Sequence, residues 1–128
     1  IKKHRGSCKV FHAPFDVKLD DQNIVQPDIF VACDESKLDG QRHNGAPDWT
    51  VEILSPSSTK RDYSDKLYLY KKHGVREYWI IDPEARRVIV YPFEDNTSAE
   101  LYTFEDAVPV HIYKNTDAPL SIRLADYF

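Results

Sequence analysis

Residues 51–58 read Val-Glu-Ile-Leu-Ser-Pro-Ser-Ser, VEILSPSS, and set one carboxylate, Glu52, in an otherwise apolar run that stops at a proline flanked by serines. An ionised glutamate inside a sheet core costs several kcal/mol unless a partner compensates it. Glu52 lies two residues after Thr50 and two before Leu54, so it shares their face of a strand read over residues 49–54. Beyond Pro56, Ser57, Ser58 and Thr59 are all good helix N-caps, and the segment after them runs to about His73 before Gly74 ends it. Within that helix Tyr63, Lys66, Leu67 and Tyr70 fall at i, i+3, i+4 and i+7, on one face. Lys66 therefore occupies a core-facing stripe where an apolar residue is expected, and it needs an anion. A structural ion pair with Glu52 satisfies it. So does an active site in which Lys66 steadies charge on an attacked phosphate or positions the nucleophilic water.

Upstream, residues 8–19, CKVFHAPFDVKL, alternate apolar and polar in two short runs broken by Pro14, which predicts a bent strand or two strands. Residues 20–23 form a polar turn, and residues 26–33 read as a strand buried on both faces. A polar loop over residues 34–48 has room for a short helix around residues 35–38. Downstream, EYWII at residues 77–81 and RVIVYPF at residues 87–93 predict a hairpin across the turn at residues 82–85. ELYTF at residues 100–104 adds an edge strand, and residues 120–128 suggest a short closing strand and a helical turn. The order β-β-β-α-β-β-β implies an α/β or α+β layer fold, a mixed sheet with one central flanking helix, in a single domain over residues 1–128. On this reading Asp28, at a strand start, and Glu52 lie on neighbouring strands. Their carboxylates then approach to about 5 Å, a spacing that a divalent cation bridges naturally.

The net charge of −4 argues against a domain that coats nucleic acid through a cationic surface. It leaves room for an enzyme acting on phosphodiesters, where carboxylates gather to hold cations. No apolar run approaches the roughly 20 residues that span a bilayer, so no membrane partner is expected. Nothing suggests secretion. Cys8 and Cys33 are accordingly read as reduced, buried thiols, and the chain as cytoplasmic.

Taken in order, Pro27-Asp28, the run from Glu52 to Ser57, then Asp62, Lys66, Leu67 and Tyr70, then GVREYWIIDP at residues 74–83 closely resemble the Uma family, also catalogued as domain of unknown function 820. These proteins are restriction-endonuclease-like members of the PD-(D/E)xK superfamily. The resemblance runs from about Cys8 to Tyr91 and continues more weakly to the C-terminus. It implies a nuclease-type core, a Mg²⁺-dependent (or Mn²⁺-dependent) endonuclease and DNA as substrate, with a homodimer as a common arrangement for duplex cutting. Asp28 matches the first acidic residue of the family pattern and Glu52 the second, and Ile53 would offer a backbone carbonyl to the metal. The superfamily lysine normally stands two residues after the second carboxylate, where this chain has Leu54. The family's helical lysine matches Lys66 instead. Asp28, Glu52 and Lys66 are thus the candidate catalytic residues. The alternative is a catalytically inactive module of the same fold that binds protein or nucleic acid. Residues 1–6, IKKHRG, look like the tail of something upstream, so the helix that often precedes the first strand, and any acidic residue on it, is expected to be missing from this chain.

Other polar residues have local explanations. Asp48 stands about 13 Å along the strand from Glu52 and suits a strand start or turn cap. Asp82 before Pro83 suits a turn, and Asp62 and Asp65 complement the helix dipole. Ser57 and Ser58 have no His–Asp arrangement to make a serine hydrolase, the histidines lack metal spacing, and Trp49, Tyr78 and Trp79 suit the core.

Overall fold

The computed structural model describes residues 8–128 and, of Arg61, the backbone only; residues 1–7, with the stretch read above as an upstream tail, lie outside it. Six strands form the main sheet: β1 (Lys9–His12), β4 (Ile29–Ala32), β6 (Trp49–Ile53), β7 (Glu77–Asp82), β8 (Arg87–Tyr91) and β9 (Glu100–Thr103). They lie side by side in the order β1-β4-β6-β7-β8-β9. Every neighbour pair is antiparallel except β6 and β7, which run parallel with Glu52 beside Ile80. Two adjacent parallel strands need a crossover, and the helix α1 (Lys60–His73) is that crossover.

The ends of α1 are fixed locally. Thr59 accepts the Asp62 amide and Asp62 reaches back to the Thr59 amide, a complete capping box. Gly74 closes the helix in the left-handed region at φ 89°. The stripe read from sequence faces inward: Tyr70 is fully buried, and Tyr63, Lys66 and Leu67 are half-buried beneath it.

Two cores lie on opposite faces of the main sheet. One unites Phe30, Tyr78 and Ile80 with Tyr70 of α1 and with Val17 and Leu19 of a small second sheet. That sheet joins β3 (Asn23–Val25), β2 (Asp16–Asp20) and β5 (Arg42–Asn44) in the order β3-β2-β5. The other core packs Trp49, Trp79, Val88 and Val90 against the C-terminal segment, which holds the short pair β10 (Val108–Pro109) and β11 (Ser121–Ile122). Glu77 is fully buried on that face, accepting the Trp79 indole N–H at 2.7 Å and the Ile112 amide at 3.0 Å. These two bonds meet its need, and they tie the C-terminal segment to the sheet.

The mixed sheet and single central helix agree with the sequence reading. Residues 8–19 split into β1 and β2, which join different sheets, with the break at the Ala13–Pro14 peptide. Among the described residues three short strands lie outside the sequence reading: β3 in the stretch after the polar turn, β5 within the polar loop, and β10 between the edge strand and the closing segment. The cysteine reading is corrected outright. Cys8 and Cys33 form a disulfide that ties the start of β1 to the end of β4. The antiparallel register that sets Lys9 beside Ala32 carries Cys8 next to Cys33, so pairing follows from strand geometry, which composition and compartment do not reveal.

Candidate active site

β4 and β6 are antiparallel neighbours whose last pair is Ile29 and Val51. One step further the register sets Asp28 beside Glu52, where the sequence spacing had put them. The two residues are interlocked through the backbone: Asp28 Oδ2 accepts the Ile53 amide at 2.7 Å, and the Asp28 amide reaches Glu52 Oε1 at 3.3 Å. Glu52 is only 5% exposed, on the sheet face covered by α1.

Its compensation comes from the helix. Lys66 Nζ lies 3.3 Å from Glu52 Oε2, and the Tyr70 hydroxyl donates to the same oxygen at 2.7 Å. Lys66 and Tyr70 are one turn apart on α1, so both reach down onto one carboxylate oxygen. Burial pushes the Glu52 carboxyl above its ordinary range; the Tyr70 hydrogen bond, the Lys66 charge and the Asp28 amide pull it back without cancelling the rise. The same environment, through burial first and the Glu52 charge second, drives the Tyr70 phenol far above its usual range, so Tyr70 serves as a fixed donor.

A cavity of about 200 Å³ opens over this cluster, lined by Asp28, Glu52, Ile53, Ser58, Asp62 and Lys66 among others. Leu54, two residues after Glu52, lines the wall as a hydrophobe, and Lys66 reaches the same cavity from α1. Among the described residues no group of three or more His, Cys, Asp or Glu side chains is arranged to hold a metal ion. The donor set nevertheless suits a small hard cation. Asp28 Oδ1 has no hydrogen-bond partner among the described residues, Glu52 Oε1 receives only the long Asp28 contact, and Mg²⁺ binds through one or two carboxylates while retaining water.

The remaining acidic residues take local roles. Asp48 accepts the Cys33 amide at 2.8 Å and pairs with Arg76 at 3.0 Å. Asp82 accepts the Ala85 amide in its turn. Asp62 caps α1 and also faces the cavity, a position its capping role does not announce. The sequence places Tyr70 on the stripe without giving its hydroxyl a partner; the signal for the Tyr70–Glu52 bond is its place one turn beyond Lys66 on that stripe.

Comparisons with known proteins come to the same fold. The profile of the Uma2 family, described as "Putative restriction endonuclease", matches residues 1–115. A curated protein of Synechocystis sp., described as "Uncharacterized protein slr1290", is 25% identical over 93 residues, 71% of this chain and 49% of that protein; the chain thus spans about half the length of this relative. The crystal structure of a "putative nuclease belonging to DUF820" from Anabaena variabilis superposes with a TM-score of 0.70 at 27% identity, over 92% of this chain and 67% of that one.

Proposed function

The chain belongs to the Uma2 family and has its restriction-endonuclease-like fold, and from that premise we propose that it hydrolyses DNA phosphodiester bonds with Mg²⁺ or Mn²⁺ held at Asp28 and Glu52. The observation that carries this reading is the convergence of Lys66 on a buried carboxylate beside Asp28, at the floor of an open cavity. Asp28 Oδ1, Glu52 Oε1 and the Ile53 carbonyl are the oxygens that would hold the ion. Bound there, the ion would acidify a water and neutralise charge on the phosphate.

The chain's own groups divide the remaining work. Tyr70 and Lys66 fix Glu52 by one oxygen, which leaves the other for the cation. The Lys66 side chain, 36% exposed, lines the cavity, and its ammonium has protons to spare for a phosphate oxygen or for the attacking water. Asp28 is anchored through the Ile53 amide, so strand pairing positions both carboxylates before substrate arrives.

Calorimetric titration of Mn²⁺ into the full-length protein should show binding that disappears in Asp28→Ala and Glu52→Ala; no binding to the unaltered protein would sink the metal-site reading. Cleavage of supercoiled and single-stranded DNA with Mn²⁺ should fall about 10²–10³-fold in Lys66→Ala, the scale of losing one preorganised donor. Sedimentation of the same sample tests the homodimer. The second reading, a non-catalytic module of the same fold, draws on the saturation of Glu52 Oε2 by Lys66 and Tyr70. A chain that binds DNA without cutting it would favour that reading.

A further inference from the structure

One row of side chains crosses the main sheet from the candidate site to its edge. Glu52 on β6 is in register with Ile80 on β7, Ile80 with Ile89 on β8, and Ile89 with Leu101 on β9. All lie on the α1 face, yet cover thins along the row: Ile80 is buried, Ile89 half-buried, and Leu101 62% exposed at the edge strand. The uncovered part forms a trough of about 450 Å³, inside the 300–1,000 Å³ range typical of small-ligand sites. The trough adjoins the candidate-site cavity, with Leu54 and Tyr63 lining both.

Its rim is polar in a specific way. Asp82 and Arg87 are a cross-strand pair two steps further along the same register, and so on the same face as Ile80 and Ile89. The Arg87 side chain is exposed and makes no ion pair among the described residues, unlike neighbouring Arg86, which pairs with Glu105. Asp82 uses Oδ1 for the Ala85 amide, and Oδ2 has no partner among the described residues. An apolar floor, an aromatic wall at Tyr63, one available guanidinium and one available acceptor match the parts of a nucleotide. The ring face takes apolar and aromatic contact, a phosphate takes the arginine, and exocyclic N–H groups take the carboxylate. β8 is two strand spacings, about 10 Å, from the strand of Glu52, close enough for a nucleotide adjoining the scissile phosphate.

We propose that this trough binds an unpaired nucleotide next to the scissile phosphate, so that the chain selects single-stranded DNA or an unpaired end over continuous duplex. The assignment rests on the nuclease reading for the position of the scissile phosphate, while the trough and its rim stand on their own geometry. A base held in a duplex is stacked on both faces and cannot enter the trough, so duplex must be opened at an energetic cost before it binds.

Fluorescence anisotropy tests this with the full chain, a labelled oligodeoxynucleotide of about ten nucleotides, and its blunt duplex, with Ca²⁺ replacing Mg²⁺ to hold off cleavage. The single strand should bind at least ~10-fold more tightly, and Arg87→Gln and Leu101→Asp should each weaken it by ~5-fold or more, the scale of one lost base or phosphate contact. Both side chains are exposed, and unchanged thermal melting in the variants shows that the fold is kept. Equal affinity for strand and duplex, or variants that bind the strand as the unaltered protein does, overturns the trough. So does self-association that Leu101→Asp abolishes without any strand binding, which would assign this edge to a second copy. Mn²⁺ titration of the unaltered protein separates the two readings: strand preference without Mn²⁺ binding removes the metal site and keeps the trough, and the reverse removes only the trough.

Discussion

Glu52 has two donors on one oxygen and almost no access to water, so its energy depends on those donors more than on solvent. Tyr70→Phe removes the shorter bond and leaves a buried carboxylate with one donor fewer. It should destabilise the fold by about 1–3 kcal/mol, read as a shift of the urea midpoint. An unchanged midpoint would show that the hydroxyl contributes nothing net. Lys66→Ala acts differently, because Lys66 lies at the cavity wall: its larger effect should be on cleavage rate, with a smaller one on stability. The face carrying Lys66 was legible in sequence because helical periodicity is local. The reach of the Tyr70 hydroxyl was not, because it depends on how closely α1 seats on β6.

α1 shows how much of an element its own sequence specifies. Its start and stop are written into Thr59, Asp62 and Gly74, and the structure uses all three. Thr59→Ala removes the capping hydrogen bond and should cost about 1 kcal/mol in thermal or urea unfolding. Gly74→Ala puts a Cβ on a residue at φ 89°, with no atom within 4 Å to clash, so its cost is conformational alone, again about 1 kcal/mol. The short strands are the opposite case. β5 is Arg-His-Asn, with no apolar alternation, and it is a strand because β2 runs beside it in parallel register. β3 likewise depends on β2, through a hairpin that shifts register between Lys18 and Asp20. Such strands carry no periodic signal, since their pairing energy comes from residues distant in sequence.

Over the whole molecule, the C-terminal segment is held partly by charge. His111 places Nδ1 2.9 Å from Asp95 and Nε2 2.8 Å from Glu100, and Lys114 joins Asp95 at 2.8 Å. Burial alone would lower the His111 pKa, but the Glu100 hydrogen bond, the charges of Glu100 and Glu77, and the Asp95 hydrogen bond outweigh it and raise it above the ordinary histidine value. Protonated, the ring donates to both carboxylates. A raised histidine pKa gives stability that is complete below the unfolded value and lost as pH rises through the folded one. Asp95, held down chiefly by Lys114, and Glu100, held down by His111 against burial, lose their contribution on acidification. The stability that the clamp adds should therefore peak near pH 5–6, between these limbs (about one unit either way). The urea midpoint of the unaltered protein should decline from about pH 6.5 upward, and His111→Gln should remove that decline. If both proteins decline equally, the clamp is not the cause.

Local rules alone make several features readable along the chain: the helix with its caps and inward stripe, the hairpin of β7 and β8, the strands carrying Asp28 and Glu52, and the spacing of those two residues. The sequence also carried the family pattern, in which Leu54 marks the lysine's departure from the strand. Which strands lie side by side was settled by packing, and that choice joined Cys8 to Cys33, buried Glu77 under Trp79 and Ile112, and left the row progressively uncovered from Ile89 to Leu101. The physical reason is range. Capping and periodicity act within a few residues, whereas the partner of a buried charge is chosen by packing between segments distant in the chain. Glu52 joins the two scales, since Lys66 could be read as its candidate partner from helical spacing, while Tyr70 on the same oxygen required the helix to be seated on the sheet.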